Sequence, residues 1–250
     1  MTLTLSPSFL SLLKEKDLLT RLTSKSFDCS AELGFSEENI SVKVLHNLLA
    51  NSVAHNWPWD KPSLARPILA HCKELFHQAA DNKIHKVIFD LGLFRIKGIN
   101  SKEYPEALAT ARQILSLSED SNTQLFLPLR WPAENPKSSQ LAVTREVASD
   151  CMNKRLKICA EICTDELTTP DALDGLLKQT FFQVAMVRFH SQAKDLISVD
   201  HYTKWQESLK EQGFDGLFVH EIHGINEDNL DEILQHFSLL TPVEEELFKV

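Results

Sequence analysis

The amino-acid sequence predicts a (β/α)8 barrel that forms one domain over residues 1–250. Strand-type segments alternate with helix-type segments along the whole chain, in eight candidate pairs, which is typical of parallel strands joined by helices. No stretch rich in Gly or Ser divides the chain. The seven glycines form no phosphate-binding loop or nucleophile elbow, which disfavours dinucleotide-binding sheets, P-loop NTPases and α/β-hydrolases.

The predicted strands are apolar or alternating runs that stop at turn residues or at charged side chains. The clearest is the eighth, in which an apolar run ends against two histidines and a glutamate. Pro7 ends the first strand, and Pro128 lies within the fifth. The predicted strands are 2–6, 26–33, 40–49, 85–93, 123–131, 156–163, 181–190 and 214–224.

The predicted helices are segments whose apolar residues recur at helical spacing. The segment 63–82 has one apolar stripe, and Pro67 falls in its first turn, where proline is tolerated. A short C-terminal helix is expected at 241–250, because Thr241 and Pro242 resemble a cap and a first helical residue. The other predicted helices are 8–24, 103–117, 139–153, 169–178, 201–212 and one that begins at 226.

Composition narrows the classes of partner and compartment. The net charge of −9 and the lack of a basic patch exclude nucleic acid and anionic membranes as expected partners. Five cysteines without a CxxC pair indicate free thiols in a reducing compartment. The N-terminus lacks a signal-type segment, and no apolar run approaches the roughly 18 residues of a membrane span. We therefore expect a cytoplasmic protein, whose oligomeric state the sequence leaves open.

Ionisable residues stand at the carboxyl ends of most predicted strands, which is where parallel α/β barrels carry their chemistry. In the eighth strand, alternation turns either Glu221 and His223 or His220 toward the interior. The first choice places more aliphatic bulk inside, so His220 is expected to face the helices. The same parity groups His190 with Arg188. The strand-end candidates are Glu32, His46, Asp90, Arg130, Glu161, His190, Glu221 and His223.

Each of these residues has a purely structural alternative. A lone histidine at a strand end is more often a spectator than a ligand, and Arg130 and Arg188 could simply neutralise the carboxylates. The recurrence on most strands favours function, because converging carboxylates are costly without a cation. Histidine with carboxylates suits a divalent ion such as zinc, manganese or magnesium. Trp131 could either anchor a loop or stack on a sugar.

Four segments carry a resemblance to a known family. Residues 27–33 read Phe-Asp-Cys-Ser-Ala-Glu-Leu, residues 42–47 read Val-Lys-Val-Leu-His-Asn, residues 187–190 read Val-Arg-Phe-His, and residues 214–221 read Phe-Asp-Gly-Leu-Phe-Val-His-Glu. In order and spacing, the chain resembles the xylose-isomerase-like TIM barrels, the sugar (phosphate) isomerases and epimerases. The resemblance implies isomerisation or epimerisation of a small sugar or sugar derivative.

The same resemblance implies a divalent metal cofactor, Mn, Mg or Zn, bound by residues from strands five to eight. Its implied ligands in this chain are Glu161, His190 and Glu221. The fifth strand offers no glutamate, so Asp90 of the fourth strand would have to replace it.

The implied catalytic residues are Glu161 and Glu221, as the acid–base pair or metal clamp, with Arg130 and Arg188 as cationic partners. Candidate substrate-binding residues are Glu32, His46, Trp131 and His223.

Two other hypotheses stay open beside a metal-assisted enzyme. The absent fifth-strand glutamate favours a degenerate barrel that binds a carbohydrate-like ligand or a protein partner without catalysis. In a metal-free enzyme, Arg130 and Arg188 would hold an anionic sugar while Glu161 acts as base. The DNA-repair branch of the family is disfavoured by the net charge of −9.

Overall fold

The computed structural model describes residues 2–5, 28–32, 42–46, 65–130, 139–164, 178 and 183–247. Its strands follow one another in chain order as the parallel strands of a closed barrel, which confirms the predicted fold class. The chain divides into two compact units. One consists of Met1–Ala31, Ser36–Ser41 and Glu161–Val250, and the other of Glu32–Phe35 and Val42–Ala160. The assignment of residues 1–250 to one domain stays a prediction.

Helices and strands alternate as expected wherever the chain is described. The strands are β1 (Thr2–Leu5), β2 (Asp28–Glu32), β3 (Val42–His46), β4 (Lys86–Ile88), β5 (Gln124–Arg130), β6 (Leu156–Cys163), β7 (Val184–Gln192) and β8 (Leu217–His223). The helices are α1 (Ala65–Asp81), α2 (Tyr104–Leu117), α3 (Ser139–Asp150), α4 (Val199–Glu211) and α5 (Leu230–Leu247), with a 3-10 turn at Leu93–Arg95. The helix predicted at 8–24, and all of that at 169–178 except residue 178, lie outside the described residues.

The unit that contains β7 and β8 is built on the pairing of these two strands. They run parallel with His190 beside Glu221 and Phe189 beside His220. Helix α4 begins at an extended Ser198 whose Oγ accepts a hydrogen bond from the His201 backbone N–H at 3.2 Å. This cap satisfies one of the free amides at a helix start. Among the described residues of this unit, the largest fully buried side chains are those of Tyr202, Trp205, Phe189 and Phe237.

In the other unit, α1 buries the apolar stripe read from the sequence. Ile68, Cys72, Leu75 and Phe76 are all buried. Burial raises the pKa of the Cys72 thiol to about 12, so it is an inert apolar side chain. Among the described residues, no helix is both long and apolar enough to cross a membrane.

Two predicted boundaries are wrong. The fourth strand ends at Ile88 rather than near residue 93, because Gly92 adopts a left-handed φ of 66° and its N–H binds Asp90 Oδ1 at 2.7 Å. An aspartate that bonds the amide two residues ahead makes a turn and ends the strand. The helix expected to start at Thr241 is instead the continuation of α5. No glycine or other cap precedes Thr241, so nothing ends the helix there.

Candidate active site at the ends of β6, β7 and β8

The strand register places a polar cluster on one face of the β7–β8 pair. Arg188 lies beside Val219, His190 beside Glu221, and Gln192 beside His223. Because side chains alternate along a strand, Arg188, His190, Glu221 and His223 project to the same face. The predicted grouping of these residues by parity is therefore observed.

Arg188 bridges two carboxylates in this cluster. Its Nη1 donates to Glu161 Oε1 at 3.2 Å, and its Nη2 forms an ion pair with Glu221 Oε2. Arg188 is only 8% exposed, so both contacts are sheltered from water. Charge-assisted bonds of this kind fix side-chain positions more firmly than neutral ones. Arg188 thus holds the two predicted catalytic glutamates in one place.

Two imidazoles complete the cluster. His190 Nδ1 lies 3.5 Å from Glu221 Oε2, and its Nε2 lies 3.9 Å from Glu161 Oε1. His223 Nε2 lies 3.6 Å from Glu221 Oε1. The two rings are parallel within 5°, with centroids 5.9 Å apart. The His223 side chain is 48% exposed, which opens this side of the cluster to solvent.

The charges of the cluster do not cancel. Two glutamates and one arginine leave one negative charge while both imidazoles are neutral. An added cation would balance that charge, as would a proton on one imidazole. The arrangement can therefore exchange protons or hold a cation next to a substrate.

Thr164 is a residue that the sequence analysis missed. It directly follows β6, and its Oγ1 donates to the His190 carbonyl at 3.3 Å and lies 3.1 Å from Ser191 Oγ. These contacts tie the end of β6 to the backbone that carries His190. Its position just after a strand of strong apolar pattern was the only available signal.

His220 faces the opposite side of β8, as predicted. It is 2% exposed, its Nε2 lies 3.0 Å from Tyr202 Oη, and its ring packs against Phe189 and Phe237. Burial lowers the pKa of His220 to about 3, with a smaller contribution from His236. It is thus a neutral core histidine.

The remaining predicted site residues belong to the other unit. Asp90 is exposed past the end of β4, where it makes the turn at Gly92. Arg130 is the exposed last residue of β5. Glu32 and His46 end β2 and β3, but their side chains are outside the described set, as is all of Trp131. Metal binding by Asp90 and the roles given to the other four stay predictions.

No protein-family model matches the chain, and no curated protein matches it. Solved structures do match over nearly its full length. A 3-keto-D-glucoside 4-epimerase from E. coli is 12% identical, with 96% of this chain and 98% of that chain covered and a TM-score of 0.67. A xylose isomerase domain protein from Planctomyces limnophilus is 10% identical, with 100% and 98% covered and a TM-score of 0.64.

The chain has the TIM-barrel fold of these solved structures. A further match with this fold is the IOLI protein, described with a bound zinc atom, which is 11% identical, with 99% and 98% covered and a TM-score of 0.57. Identities this low establish the fold alone.

The polar cluster of this chain is compatible with a divalent metal. One ligand atom from each of His190, Glu221 and His223 lies within 4.8 Å of the other two. Imidazole nitrogen and carboxylate oxygen are ordinary ligands of zinc and of its neighbours in the first transition row. The donor set present therefore fits such an ion.

Proposed function

We propose that this protein isomerises or epimerises a small sugar or sugar derivative by carboxylate-mediated proton transfer. The observation that carries the proposal is the bridge from Arg188 to both Glu161 and Glu221, with His190 facing the two carboxylates. Two carboxylates fixed around one cation are suited to moving a proton at a carbon next to a carbonyl. The names of the structures that share the fold agree with this class of reaction.

In the proposed reaction, Glu161 removes the proton from the carbon next to the substrate carbonyl. The electron pair of that C–H bond moves into an enediolate, whose negative charge the Arg188 guanidinium stabilises. Glu221, after taking up a proton from solvent, then delivers that proton to carbon, and Glu161 releases its proton to solvent. Delivery to the same carbon from the other side gives an epimer. Delivery to the former carbonyl carbon, with transfer of the neighbouring hydroxyl proton to the other oxygen, gives an isomer.

A divalent ion, Mn, Mg or Zn, would be held by His190 and Glu221 and, when bound, would polarise the substrate carbonyl. Arg188 fixes the orientation of Glu221 whether or not an ion is present. His223, at the solvent side of the cluster, is proposed to contact the substrate or the ion.

Incorporation of solvent deuterium tests the proposal directly. Ketoses and aldoses incubated with the protein in D2O should gain deuterium next to the carbonyl. Glu161→Gln should slow this exchange by about 10²–10⁴-fold, the usual contribution of one acid–base group. The matched control is Glu207→Gln, because Glu207 is an exposed glutamate on α4 of the same unit. If no sugar exchanges, with or without added Mn²⁺, Mg²⁺ or Zn²⁺, the proposed isomerase or epimerase activity is refuted.

A second candidate is a barrel that binds a carbohydrate-like ligand or a protein partner without turnover. It is favoured by the same bridge, because Arg188 already engages both carboxylates. Calorimetry that detects sugar binding without deuterium exchange would favour this candidate. Exchange that Glu161→Gln abolishes would exclude it.

A further inference from the structure

We propose that Gln192 and His223 bind the non-reacting end of the substrate through its hydroxyl groups, and that this substrate is an unphosphorylated sugar or sugar derivative. Gln192 has no part in the proposed proton transfer. The inference rests on the proposed function, and it adds to that function a substrate class and a residue that determines specificity.

Gln192 and His223 form an outer pair of side chains beyond the reacting groups. They are register partners on β7 and β8, as His190 and Glu221 are, and they follow those residues by two positions. Two residues advance a strand by roughly 6.5 Å and return the side chain to the same face. That distance is close to the length of an extended pentose or hexose. A sugar whose reacting carbon lies at Glu221 would therefore place its far end at this outer pair.

Backbone hydrogen bonds hold the outer pair in place. The Ala193 N–H donates to the His223 carbonyl at 2.8 Å, and the Asp195 N–H donates to the Gln192 carbonyl at 2.9 Å. The side chain of Gln192 reaches the end of β8, because its Oε1 would lie 3.9 Å from a Cβ atom added at Gly224. Groups that are already in position bind a ligand at a lower entropic cost than mobile groups do.

The chemistry of the outer pair suits hydroxyl groups. Gln192 is exposed, and no described residue forms a hydrogen bond with its side-chain amide. A glutamine amide offers donor hydrogens and an acceptor oxygen, and a neutral imidazole offers one donor and one acceptor. A sugar hydroxyl is likewise both donor and acceptor. The Gln192 amide can therefore bind two neighbouring hydroxyls at once.

The loops that follow β7 and β8 are unfavourable for a phosphate group. TIM barrels often bind phosphate in this position, where backbone amides and a helix N-terminus face the ligand. In this chain Asn226 Oδ1 already accepts hydrogen bonds from the backbone N–H groups of Asp228 and Asn229, at 3.0 and 3.3 Å. These amides are thus engaged by the protein itself.

The charges of the same two loops point the same way. Residues 193–198 contain Lys194, which lies 3.7 Å from Asp195. Residues 224–229 contain Glu227 and Asp228 and no basic residue. Like charges brought together at a binding site lower the affinity. A phosphate at the far end of the sugar would meet these carboxylates, whereas a hydroxyl would not be repelled by them.

Calorimetry tests the substrate class. The ketoses and aldoses of the exchange assay serve as probes, each compared with its terminal phosphate ester. The free sugar should bind at least about 10-fold more tightly than its ester. Deuterium exchange in D2O should follow the same order.

Gln192→Leu tests the specificity residue. It should raise the Kd and the KM of the best-bound free sugar by about 10-fold, the cost of one or two lost hydrogen bonds, and change kcat by less than about 3-fold. The rise should shrink for the deoxy analogue that lacks the terminal hydroxyl, which a merely structural role of Gln192 would not produce. The matched control Gln235→Leu removes an exposed glutamine of α5 in the same unit and should change neither quantity.

Three outcomes would overturn the inference. They are binding of the phosphate esters as tight as that of the free sugars, equal affinity of wild type and Gln192→Leu for the free sugar, or no binding of any free sugar. A thermal melt that matches the wild type shows that Gln192→Leu is folded. Exchange on phosphate esters alone would overturn the inference and leave the proposed function intact. Free-sugar binding that Gln192→Leu weakens, without exchange on any sugar, would refute the proposed function and leave the outer pair as a sugar-binding site.

Discussion

Each face of the β7–β8 pair carries a histidine of β8, but one of these histidines is exposed among charged groups and the other is buried in the core. On one face, His223 is 48% exposed and stacks parallel to His190 beside Glu221. On the other face, His220 is 2% exposed, packs against aromatic rings, and has a pKa lowered by burial to about 3. The two histidines are three residues apart, so their different chemistry comes from strand parity and not from local sequence.

The comparison separates residues that carry charge from those that fill the core. The polar face keeps its charges because Arg188 satisfies two glutamates at once. The apolar face accepts a histidine because Tyr202 lies within hydrogen-bond distance of it. Four substitutions test this division, in order of decreasing expected effect on stability.

Removal of the shared cation should have the largest effect. Arg188→Met should lower the free energy of unfolding by about 3 kcal/mol or more, because it leaves two sheltered carboxylates without their counter-charge. Urea denaturation at pH 7 measures the loss. Lys194→Met is the control, since Lys194 pairs with Asp195 in solvent and should cost less than about 1 kcal/mol. Equal losses in the two variants would contradict the bridging role of Arg188.

The second largest loss of stability is expected where β7 and the residue before β8 approach each other closely. A Cβ atom at Gly216 would lie 2.5 Å from the Ala185 carbonyl oxygen on β7. Gly216→Ala should therefore destabilise the protein by about 1–3 kcal/mol through forced backbone shifts. Gly98→Ala is the matched control, because its added Cβ would meet nothing within 4 Å. Thermal melts of both variants compare them, and an unchanged Gly216→Ala melt would refute the close contact.

His220 should give the stability a distinctive dependence on pH. The pKa of His220 is about 3 in the folded protein and near 6.5 in the unfolded chain. Between these two pH values, the imidazole is protonated in the unfolded chain and neutral in the folded protein. The contribution of neutral His220 to the free energy of unfolding is therefore fully present above about pH 6.5. It decreases as the pH drops toward 3, by about 2 kcal/mol between pH 7.5 and pH 5.

The variant His220→Leu removes that dependence. It should cost about 1–2 kcal/mol at pH 7, because Tyr202 loses a hydrogen-bond partner. The difference from wild type should then shrink as the pH falls to 5. A difference that stays constant across this range, measured by urea denaturation, would contradict a neutral buried His220.

The smallest effect is expected on the exposed side. His223→Gln should change the free energy of unfolding of the metal-free protein by less than about 0.5 kcal/mol, as surface substitutions commonly do. The same urea assay at pH 7 measures it. A loss as large as that of His220→Leu would show that the two faces do not differ in the way described.

Local sequence predicted β6 and β8 well because both are apolar runs that stop at charged residues. Strand parity then grouped Arg188 with His190, and Glu221 with His223, without any structural knowledge. The fourth strand was overextended because the apolar run continues past Asp90, whereas the turn at Gly92 depends on one side-chain hydrogen bond. The choice of Arg188 as a bridge needs side-chain positions, so the sequence left it as one alternative.

The alternation of faces along β8 constrains how this segment can evolve. Substitutions change one side chain at a time, and either face of the strand can absorb some of them. A single-residue insertion or deletion before His220 would exchange the two faces of everything that follows. It would drive Glu221 among the aromatic rings and turn His220 toward Arg188. We therefore expect the descendants of this protein to keep the length of the segment from Gly216 to His223 even where its residues change.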